Sequence, residues 1–297
     1  MPAAGVLAMV GAAAALCGSG PLDILLTNDD GAGAVGIRAL QAQLAAAGHR
    51  VTLVAPDHDA SGTAMSFDWG PVRVTRDPDE PSTFAVSGTP ATAVVLGASA
   101  LYPRGRRPDL VVSGINHGPN KGSLLALSGT LGAALAGTLL LEPPVPGFAV
   151  SAERLNAAEP VDSAANRKQF AAVAAHFARL VAGTRGWFCE GGSAARSRTV
   201  LNVNYPARPV GDVRGTVVAR QADTTDLHVS FSAAGLDEYR ADAKRGDATG
   251  SRDSDLYWLD RGYVTVTPVS GAMDAESVSA GDLERRLRSP RQSSSQR

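Results

Sequence analysis

Two adjacent carboxylates, Asp29 and Asp30, follow an apolar run at residues 22–27 and precede Gly31. Carboxylates held side by side at the end of a strand repel each other, and one is driven toward protonation unless a cation lies between them. Their oxygen atoms suit hard divalent ions such as Mg²⁺ or Mn²⁺. The alternative is that one of the two aspartates caps the helix that follows. The pair therefore indicates either a metal site or a helix cap.

Three further polar loops could contribute to such a site. Residues 61–63 and 128–130 each combine hydroxyl side chains with a glycine, so they could offer N–H and O–H groups to an anion at a helix N-terminus. Each of these loops could equally be a turn or an N-cap. The loop at 116–122 contains His117, which we interpret, like His58, as a solvated loop histidine. Its lysine, at position 121, either contacts phosphate or is exposed.

A repeating pattern of strands and helices would bring these loops together. Ile37, Leu40 and Leu44 recur at helical spacing between two apolar runs, which predicts a strand–helix–strand unit. The remaining predicted strands and helices follow in the same order: helix 89–100, strand 109–112, helix 128–139, strand 148–151, helix 170–180 and strand 199–203. Ligands of open parallel sheets gather at the carboxyl ends of the strands. We therefore predict an α/β fold, with a Rossmann-like, mostly parallel sheet, helices on both faces and a C-terminal β-rich extension.

The amino-acid composition changes after Pro206. Short β-like runs at 215–219 and 263–267 lie among polar, glycine-containing stretches, and we interpret them as hairpins or an extension outside the main sheet. From Glu284 onward the chain is rich in Arg and Ser, which predicts disorder. The predicted organisation is a flexible N-terminal extension or remnant signal segment at 1–21, an α/β core at 22–206 that carries the candidate site, a hairpin or oligomerisation extension at 207–281 and a disordered tail at 282–297.

Composition limits the classes of partner. The chain has 297 residues and a formal net charge of -1, so nothing in its charge indicates a nucleic-acid duplex as partner. Cys17 and Cys189 are the only cysteines and form no CxxC motif, which argues against structural zinc and favours two free thiols over a disulfide. We interpret the three tryptophans, Trp69, Trp187 and Trp258, as packing residues.

The first twenty residues bear on the compartment. Residues 6–16 are apolar, a length that suits the core of a signal peptide and is too short to span a bilayer. No Lys or Arg precedes them, so a cytoplasmic location is expected, with export as the alternative if residues 1–20 are a signal segment. No other run is long and apolar enough to predict a membrane span.

Taken together, these segments resemble the SurE (survival protein E) family. The resemblance spans about residues 22–270, and its motifs occur in the family's order. The matching segments are LLTNDDG at 25–31, GIRAL at 36–40, VAPD at 54–57 with SG at 61–62, GTP at 88–90, PDLVVSGIN at 108–116, SGT at 128–130, LNVNYP at 201–206, and DSD at 253–255 with GYVTVTP at 262–268.

The resemblance implies a divalent-metal phosphatase that acts on nucleoside 5′- and 3′-monophosphates. It also implies oligomer contacts through the C-terminal extension, in a homodimer or homotetramer. By position, the implied metal ligands are Asp29, Asp30, Ser61 and Asn116. The implied phosphate-binding residues are Asn116, Asn120, Ser128, Gly129 and Thr130. Ser123, Leu124 and Leu127 stand where many relatives carry acidic residues and a tyrosine, a departure that bears on substrate preference rather than on metal binding.

The expected chemistry is metal-assisted hydrolysis, in which Asp29 or Asp30 orients or deprotonates the attacking water. One rival is a module that binds nucleotide or phosphate without turnover. Another is a different α/β enzyme with an acidic metal motif, such as a glycosyltransferase. The GxGxxG spacing at 31–36 does not predict an NAD site, because the two preceding aspartates would place negative charge where the pyrophosphate lies.

Overall fold

The computed structural model describes residues 20–189, 198–246 and 250–271. The strands in these residues are β1 (Asp23–Thr27), β2 (Arg50–Pro56), β3 (Val74–Arg76), β4 (Thr83–Val86), β5 (Leu110–His117), β6 (Gly147–Ala152), β7 (Thr199–Tyr205), β8 (Thr216–Val218), β9 (Leu227–Gly235), β10 (Glu238–Arg245) and β11 (Val264–Ser270). The α-helices are α1 (Val35–Ala46), α2 (Pro90–Leu96), α3 (Gly129–Leu139), α4 (Ala164–Gly183), α5 (Arg185–Cys189) and α6 (Asp255–Asp260). A π-helical turn at Gly97–Leu101 extends α2, and 3₁₀ turns lie at Gly122–Leu127 and Val210–Asp212.

A nine-stranded sheet organises the molecule in the order β3-β4-β2-β1-β5-β6-β7-β11-β8. The central run from β4 to β7 is parallel throughout, whereas β3 and β11 are antiparallel to their neighbours β4 and β7. The predicted fold class is therefore confirmed. Short connections between parallel strands are impossible, so each crossover in this run carries a helix or a long loop across a face of the sheet.

Two apolar layers hold the helices against the sheet. On one face, Ile24 and Leu26 of β1 belong to a cluster that includes Ile37 of α1 and Phe170 of α4. On the other face, Leu25 packs in a second cluster with side chains of α2 and α3. Successive side chains of a strand point to opposite faces, so a strand covered on both faces must be apolar at every position. This requirement explains the three consecutive apolar residues, Ile24, Leu25 and Leu26, at the centre of β1.

The interpretation of residues 215–219 and 263–267 as hairpins outside the main sheet is wrong. The strand β11 pairs antiparallel with β7 from Thr199 to Asn204, and β8 pairs parallel with β11. Both strands therefore extend the main sheet beyond β7. The partner strands β7 and β8 lie tens of residues before β11 in the sequence. Local composition therefore could not show where these two short runs pair.

A two-stranded hairpin, β9–β10, forms the β-rich extension outside the main sheet. Sequence analysis did not locate its strands, and it also missed β3 and β4. The division of the chain into four segments stays a prediction, and the tail at 282–297 lies outside the described residues. Within the described residues, no helix combines the length and the apolar character needed to cross a membrane.

Two interpretations of single residues need correction. Cys189 is disulfide-bonded, so the expectation of a free thiol there is wrong. Cys17, the one other cysteine of the sequence, lies outside the described residues. Trp69 is 92% exposed and contacts the ring of Phe67, so it is not a packing residue of the core.

Candidate active site

The ends of β1 and β5 bring the acidic pair and the polar loop after β5 to one edge of the sheet. These strands are parallel neighbours, with Thr27 in register with Ser113. The residues that follow each strand therefore emerge side by side. Gly36 lets α1 pack closely against this edge, because a Cβ atom there would lie 2.1 Å from the carbonyl oxygen of Ile115.

Asp29 is buried and held by the first turn of α3. Its Oδ1 accepts a hydrogen bond of 2.7 Å from the hydroxyl of Thr130, and its Oδ2 accepts one of 3.0 Å from the backbone N–H of the same residue. Burial raises the pKa of Asp29 to about 6, and the negative charge of Asp30 adds to this effect. The two hydrogen bonds from Thr130 oppose the rise but do not cancel it.

Asp30 pairs with His117, the last residue of β5. The distance from His117 Nδ1 to Asp30 Oδ1 is 3.1 Å, and both side chains are largely buried. The His117 ring also packs against Phe170 of α4, at 5.2 Å between centroids. The interpretation of His117 as a solvated loop histidine is therefore wrong. His58 is exposed and pairs with Asp57, in agreement with the interpretation for that residue.

The N-terminus of α3 faces Asp29. Ser128 caps the helix by accepting a hydrogen bond from Leu131 N at 3.0 Å. A Cβ atom at Gly129 would lie 2.9 Å from Asp29, so glycine permits this close approach of the helix to the carboxylate. The N–H of Gly129 is the first of the helix and has no intrahelical acceptor. The helix dipole and this N–H suit an anion beside the acidic pair.

Asn116 lies near the end of β5, whereas Asn120 lies in the loop that follows it. Asn116 donates its Nδ2 hydrogen to the carbonyl of Gly118 at 2.8 Å, which leaves its Oδ1 as an acceptor. Asn120 donates both Nδ2 hydrogens, to Thr130 Oγ1 at 3.1 Å and to Ser151 Oγ at 3.0 Å. Asn120 therefore has no side-chain donor left for phosphate in this arrangement.

Ser61 lies at the exposed rim of the site. Its hydroxyl and its N–H both donate to Asp59 Oδ1, at 2.6 and 2.9 Å. The loop is tied to the acidic pair next to Ser61, because Ala60 N–H donates to the carbonyl of Asp29 at 2.8 Å. Ser61 is thus near the site, with its own hydrogen directed to Asp59.

A cavity of about 400 Å³ opens beside Asp30. Its polar lining residues are Asp30, Asp59, His117, Asp162 and Arg167. Sequence analysis named neither Asp59 nor Arg167 as a site residue. Asp59 was detectable as part of the polar segment that follows β2, whereas Arg167 lies on α4, 137 positions after Asp30, and no sequence signal points to it.

Lys121 has a structural position. It is 2% exposed and forms ion pairs with Asp226 at 2.9 Å and with Asp260 at 3.4 Å. Lys121 is therefore not exposed, and its ammonium group pairs with carboxylates instead of facing a phosphate site. Lys121 ties the loop after β5 to the C-terminal part of the chain.

The residues at the edge of β1 fit a hard divalent ion, although the fit depends on neutral oxygen ligands. Among the described residues, no group of three or more His, Cys, Asp or Glu side chains is arranged to hold a metal ion. Asp30 Oδ2 and Asn28 Oδ1 are buried and lack a hydrogen-bond partner, as does His117 Nε2. Buried polar atoms without partners are rare, and an ion is one explanation for them.

A Rossmann-like α/β protein with polar residues and a helix N-terminus at one sheet edge belongs to the class of folds whose ligands gather at the carboxyl ends of the strands. Residues 24–226 match the family model described as "Survival protein SurE". The chain belongs to the SurE family.

Named relatives and a solved structure agree with this membership. The protein named 5′-nucleotidase SurE 1 of Burkholderia lata is 38% identical over 256 residues, which cover 83% of this chain and 89% of the relative. The 5′-nucleotidase SurE of Solidesulfovibrio magneticus is 36% identical over 270 residues, covering 89% and 97%. The crystal structure of the SurE protein from Aquifex aeolicus superposes with a TM-score of 0.70 at 29% identity, and covers 89% of this chain and 99% of that chain.

Proposed function

We propose that the protein is a divalent-metal-dependent phosphatase that hydrolyses nucleoside 5′-monophosphates, and also 3′-monophosphates, to nucleoside and phosphate. Membership of the SurE family and the 5′-nucleotidase names of its relatives support this assignment. The observation that carries it is the contact of Asp29, beside Asp30, with the N-terminal turn of α3. The proposed ion site and the proposed anion site would adjoin at this contact.

Asp29, Asp30 and Asn116 are the proposed main ligands of Mg²⁺ or Mn²⁺, with Ser61 completing the set from the rim. Two carboxylates, an amide oxygen and a hydroxyl are hard ligands of the kind these ions prefer. When bound, the ion would neutralise phosphate charge and lower the pKa of a coordinated water. Asp29, which is buried, must be ionised to take part, and the positive charge would favour that form.

The N-terminus of α3 is the proposed phosphate subsite. The N–H of Gly129 and the hydroxyl of Ser128 are its donors, and the helix dipole adds to their effect. Asn116, next to His117 at the end of β5, is the proposed further contact to the same phosphate. Thr130 directs its N–H and O–H to Asp29, so it would act on phosphate through that carboxylate. Asn120 would bind phosphate only by giving up one of its two hydrogen bonds.

The proposed reaction forms a bond from water oxygen to phosphorus and breaks the bond from phosphorus to the ester oxygen. The attacking water loses a proton, for which Asp29 or Asp30 is the proposed acceptor, and the departing nucleoside oxygen gains one. Donors at the start of α3 stabilise the negative charge that spreads over the phosphoryl oxygens. Burial of Asp29 excludes bulk water and strengthens these interactions.

The test is release of phosphate from AMP by metal-free protein, with and without added Mn²⁺. We expect release only with the ion, and a loss of at least about 100-fold in Asp29→Asn, because a site carboxylate is removed. Asp109→Asn is the matched control. It changes a half-buried aspartate at the amino end of β5, where it accepts a hydrogen bond from Asp23 N, and it should leave release unchanged.

Two outcomes would contradict the proposal. Binding of AMP without any release would favour a binding module that lacks turnover. Hydrolysis of a nucleotide sugar but not of AMP would favour a different α/β enzyme. Parallel assays with 3′-AMP test whether nucleoside 3′-monophosphates are also substrates.

We also propose a homodimer or homotetramer whose contacts involve the β9–β10 hairpin, which leaves Val229, Phe231 and Tyr239 exposed. The compartment has two candidates, the cytoplasm and, by export, an extracytoplasmic space. Disulfides persist in oxidising compartments, so the disulfide at Cys189 favours export in a form that retains residues 1–20, which contain the one other cysteine, Cys17. Fractionation of cells that produce the full chain, followed by thiol labelling, would decide between them.

A further inference from the structure

Two buried asparagines of β7 hold the loop that enters the site. Asn202 and Asn204 are 0% exposed and, being two residues apart on a strand, share a face. Both donate an Nδ2 hydrogen to the carbonyl of Asn120, at 2.8 and 2.9 Å. Asn204 Oδ1 also accepts the N–H of Asn120 at 2.8 Å. The backbone of Asn120 is therefore bound by side chains, although it belongs to no strand.

The side chain of Asn120 continues this contact toward the acidic pair. It donates to Thr130 Oγ1 and to Ser151 Oγ, and Thr130 in turn donates its hydroxyl hydrogen to Asp29. A threonine hydroxyl has only one hydrogen, so its bond to Asp29 leaves Oγ1 as an acceptor toward Asn120. This requirement determines which way the Asn120 amide faces. A continuous chain of hydrogen bonds thus joins β7 to Asp29.

We propose that Asn202 and Asn204 are positioning residues that act on Asp29 through Asn120 and Thr130. Every link lies in or next to the protein interior, where a hydrogen bond is strong and a missing partner is costly. Residues that orient the direct ligands of an ion typically change affinity or activity by about 10- to 100-fold when they are removed. The inference rests on the proposed function for its turnover measurement only.

A second anchor keeps the loop attached when the asparagines are changed. Gly122 N–H donates to the buried Asp255 Oδ2 at 2.9 Å, and Lys121 pairs with Asp226 at 2.9 Å. The loop would therefore stay on the protein in Asn204→Leu, while Asn120 loses two of the bonds that align it. The expected defect is one of alignment and not of folding.

A double-mutant cycle in turnover tests this route. Asn204→Leu should lower kcat for AMP by about 10- to 100-fold. Asn120→Ala removes the middle of the chain but keeps the backbone that Asn204 binds. In the Asn120→Ala background, Asn204→Leu should therefore cause no further loss of kcat, although it still lowers stability. Equal fold-losses of kcat in both backgrounds would overturn the inference.

Asn166→Leu is the matched control. Asn166 is also 0% exposed, and it holds a loop through bonds to Asn156 and Pro160 that have no connection to Asp29. Its replacement should lower the midpoint of thermal unfolding about as much as Asn204→Leu does, and it should leave kcat unchanged. A comparable loss of kcat in Asn166→Leu would mean that the effect follows stability, which contradicts positioning.

Hydrogen exchange of the Thr130 amide gives a measurement independent of activity. This N–H donates to Asp29 Oδ2, so it should be protected in the wild type. In Asn204→Leu its exchange should accelerate relative to the amides of β6, whereas in Asn166→Leu the ratio should not change. Unchanged relative protection would overturn the inference. If the wild-type protein released no phosphate, the proposed function would fail, and this exchange ratio would still decide the role of Asn204.

Discussion

Opposing electrostatic effects act on the carboxyl group of Asp29. It is buried, stands next to a second carboxylate, and accepts two hydrogen bonds from Thr130. Burial and the neighbouring charge favour the protonated form, and the hydrogen bonds favour the ionised form. The first two prevail, so without a cation the folded protein holds a proton here more tightly than the unfolded chain does.

Stability of the metal-free protein should therefore fall as the pH rises. The pKa of Asp29 is about 6 in the folded state against an ordinary value of 3.8. Folding stability from this group is fully present below about pH 3.8 and is lost as the pH rises through about 6. The full loss is on the order of 3 kcal/mol. Urea unfolding in EDTA between pH 4.5 and 8, followed by tryptophan fluorescence, measures it.

Asp29→Asn is the comparison for this experiment, since asparagine does not titrate. The unfolding free energy of the wild type minus that of the variant should fall steadily from pH 4.5 to 6 and then level off. Parallel pH profiles in the two proteins would show that Asp29 is not the group responsible.

At the scale of single residues, the sequence predicted Asp29 and Asp30 because their position after an apolar run was already unusual. It did not predict the pairing of Asp30 with His117, which is 87 positions away. A histidine in a polar loop carries no local sign of its partner. Only the parallel pairing of β1 with β5 and the ring of Phe170 bring His117 into contact with the carboxylate.

At the scale of elements, close packing of helices on the sheet depends on particular glycines. Gly36, in the first turn of α1, faces the carbonyl of Ile115, and Gly132 of α3 faces the carbonyl of Ala64. Each position leaves no room for a methyl group. The GIRAL segment could be assigned to a helix from its periodicity, but the periodicity does not reveal that Gly36 contacts β5.

Gly36→Ala should destabilise the protein. The added Cβ would lie 2.1 Å from the oxygen of Ile115, so α1 must move away from β5. We expect a loss of about 2–3 kcal/mol, the upper part of the usual range for overpacking. The same change at Gly183 of α4, where nothing lies within 4 Å, should be neutral or stabilising by roughly 0.5–1 kcal/mol. Chemical denaturation of both variants measures the contrast, and equal effects would contradict the packing argument.

At the scale of the whole molecule, the β9–β10 hairpin lacks a covering layer among the described residues. Val229 and Phe231 lie opposite Ala243 and Ala241, so these side chains share one face. Phe231 is 70% exposed and Val229 is 54% exposed. An isolated two-stranded hairpin is marginally stable in water, which favours its association with another surface.

Phe231→Glu should shift the protein toward monomer. A charge on the apolar face would have to be desolvated in any contact between copies. Sedimentation equilibrium of wild type and variant measures the change in mass. Ser230→Glu, which places the same charge on the opposite face of the hairpin, is the control and should leave the mass unchanged. An unaltered mass in Phe231→Glu would exclude this face from the oligomer contact.

The sequence by itself determined the strand–helix–strand order of the core and the acidic pair at the end of β1. Unbroken apolar runs, helical spacing and glycine breaks are local signals, and local signals suffice for elements such as β1 and α1. Only the tertiary structure decided that β8 and β11 extend the main sheet, that His117 pairs with Asp30 and that Asn204 holds Asn120. Each of these contacts joins segments tens of residues apart, and the free energy that selects them comes from packing and buried hydrogen bonds that exist only once the sheet has formed.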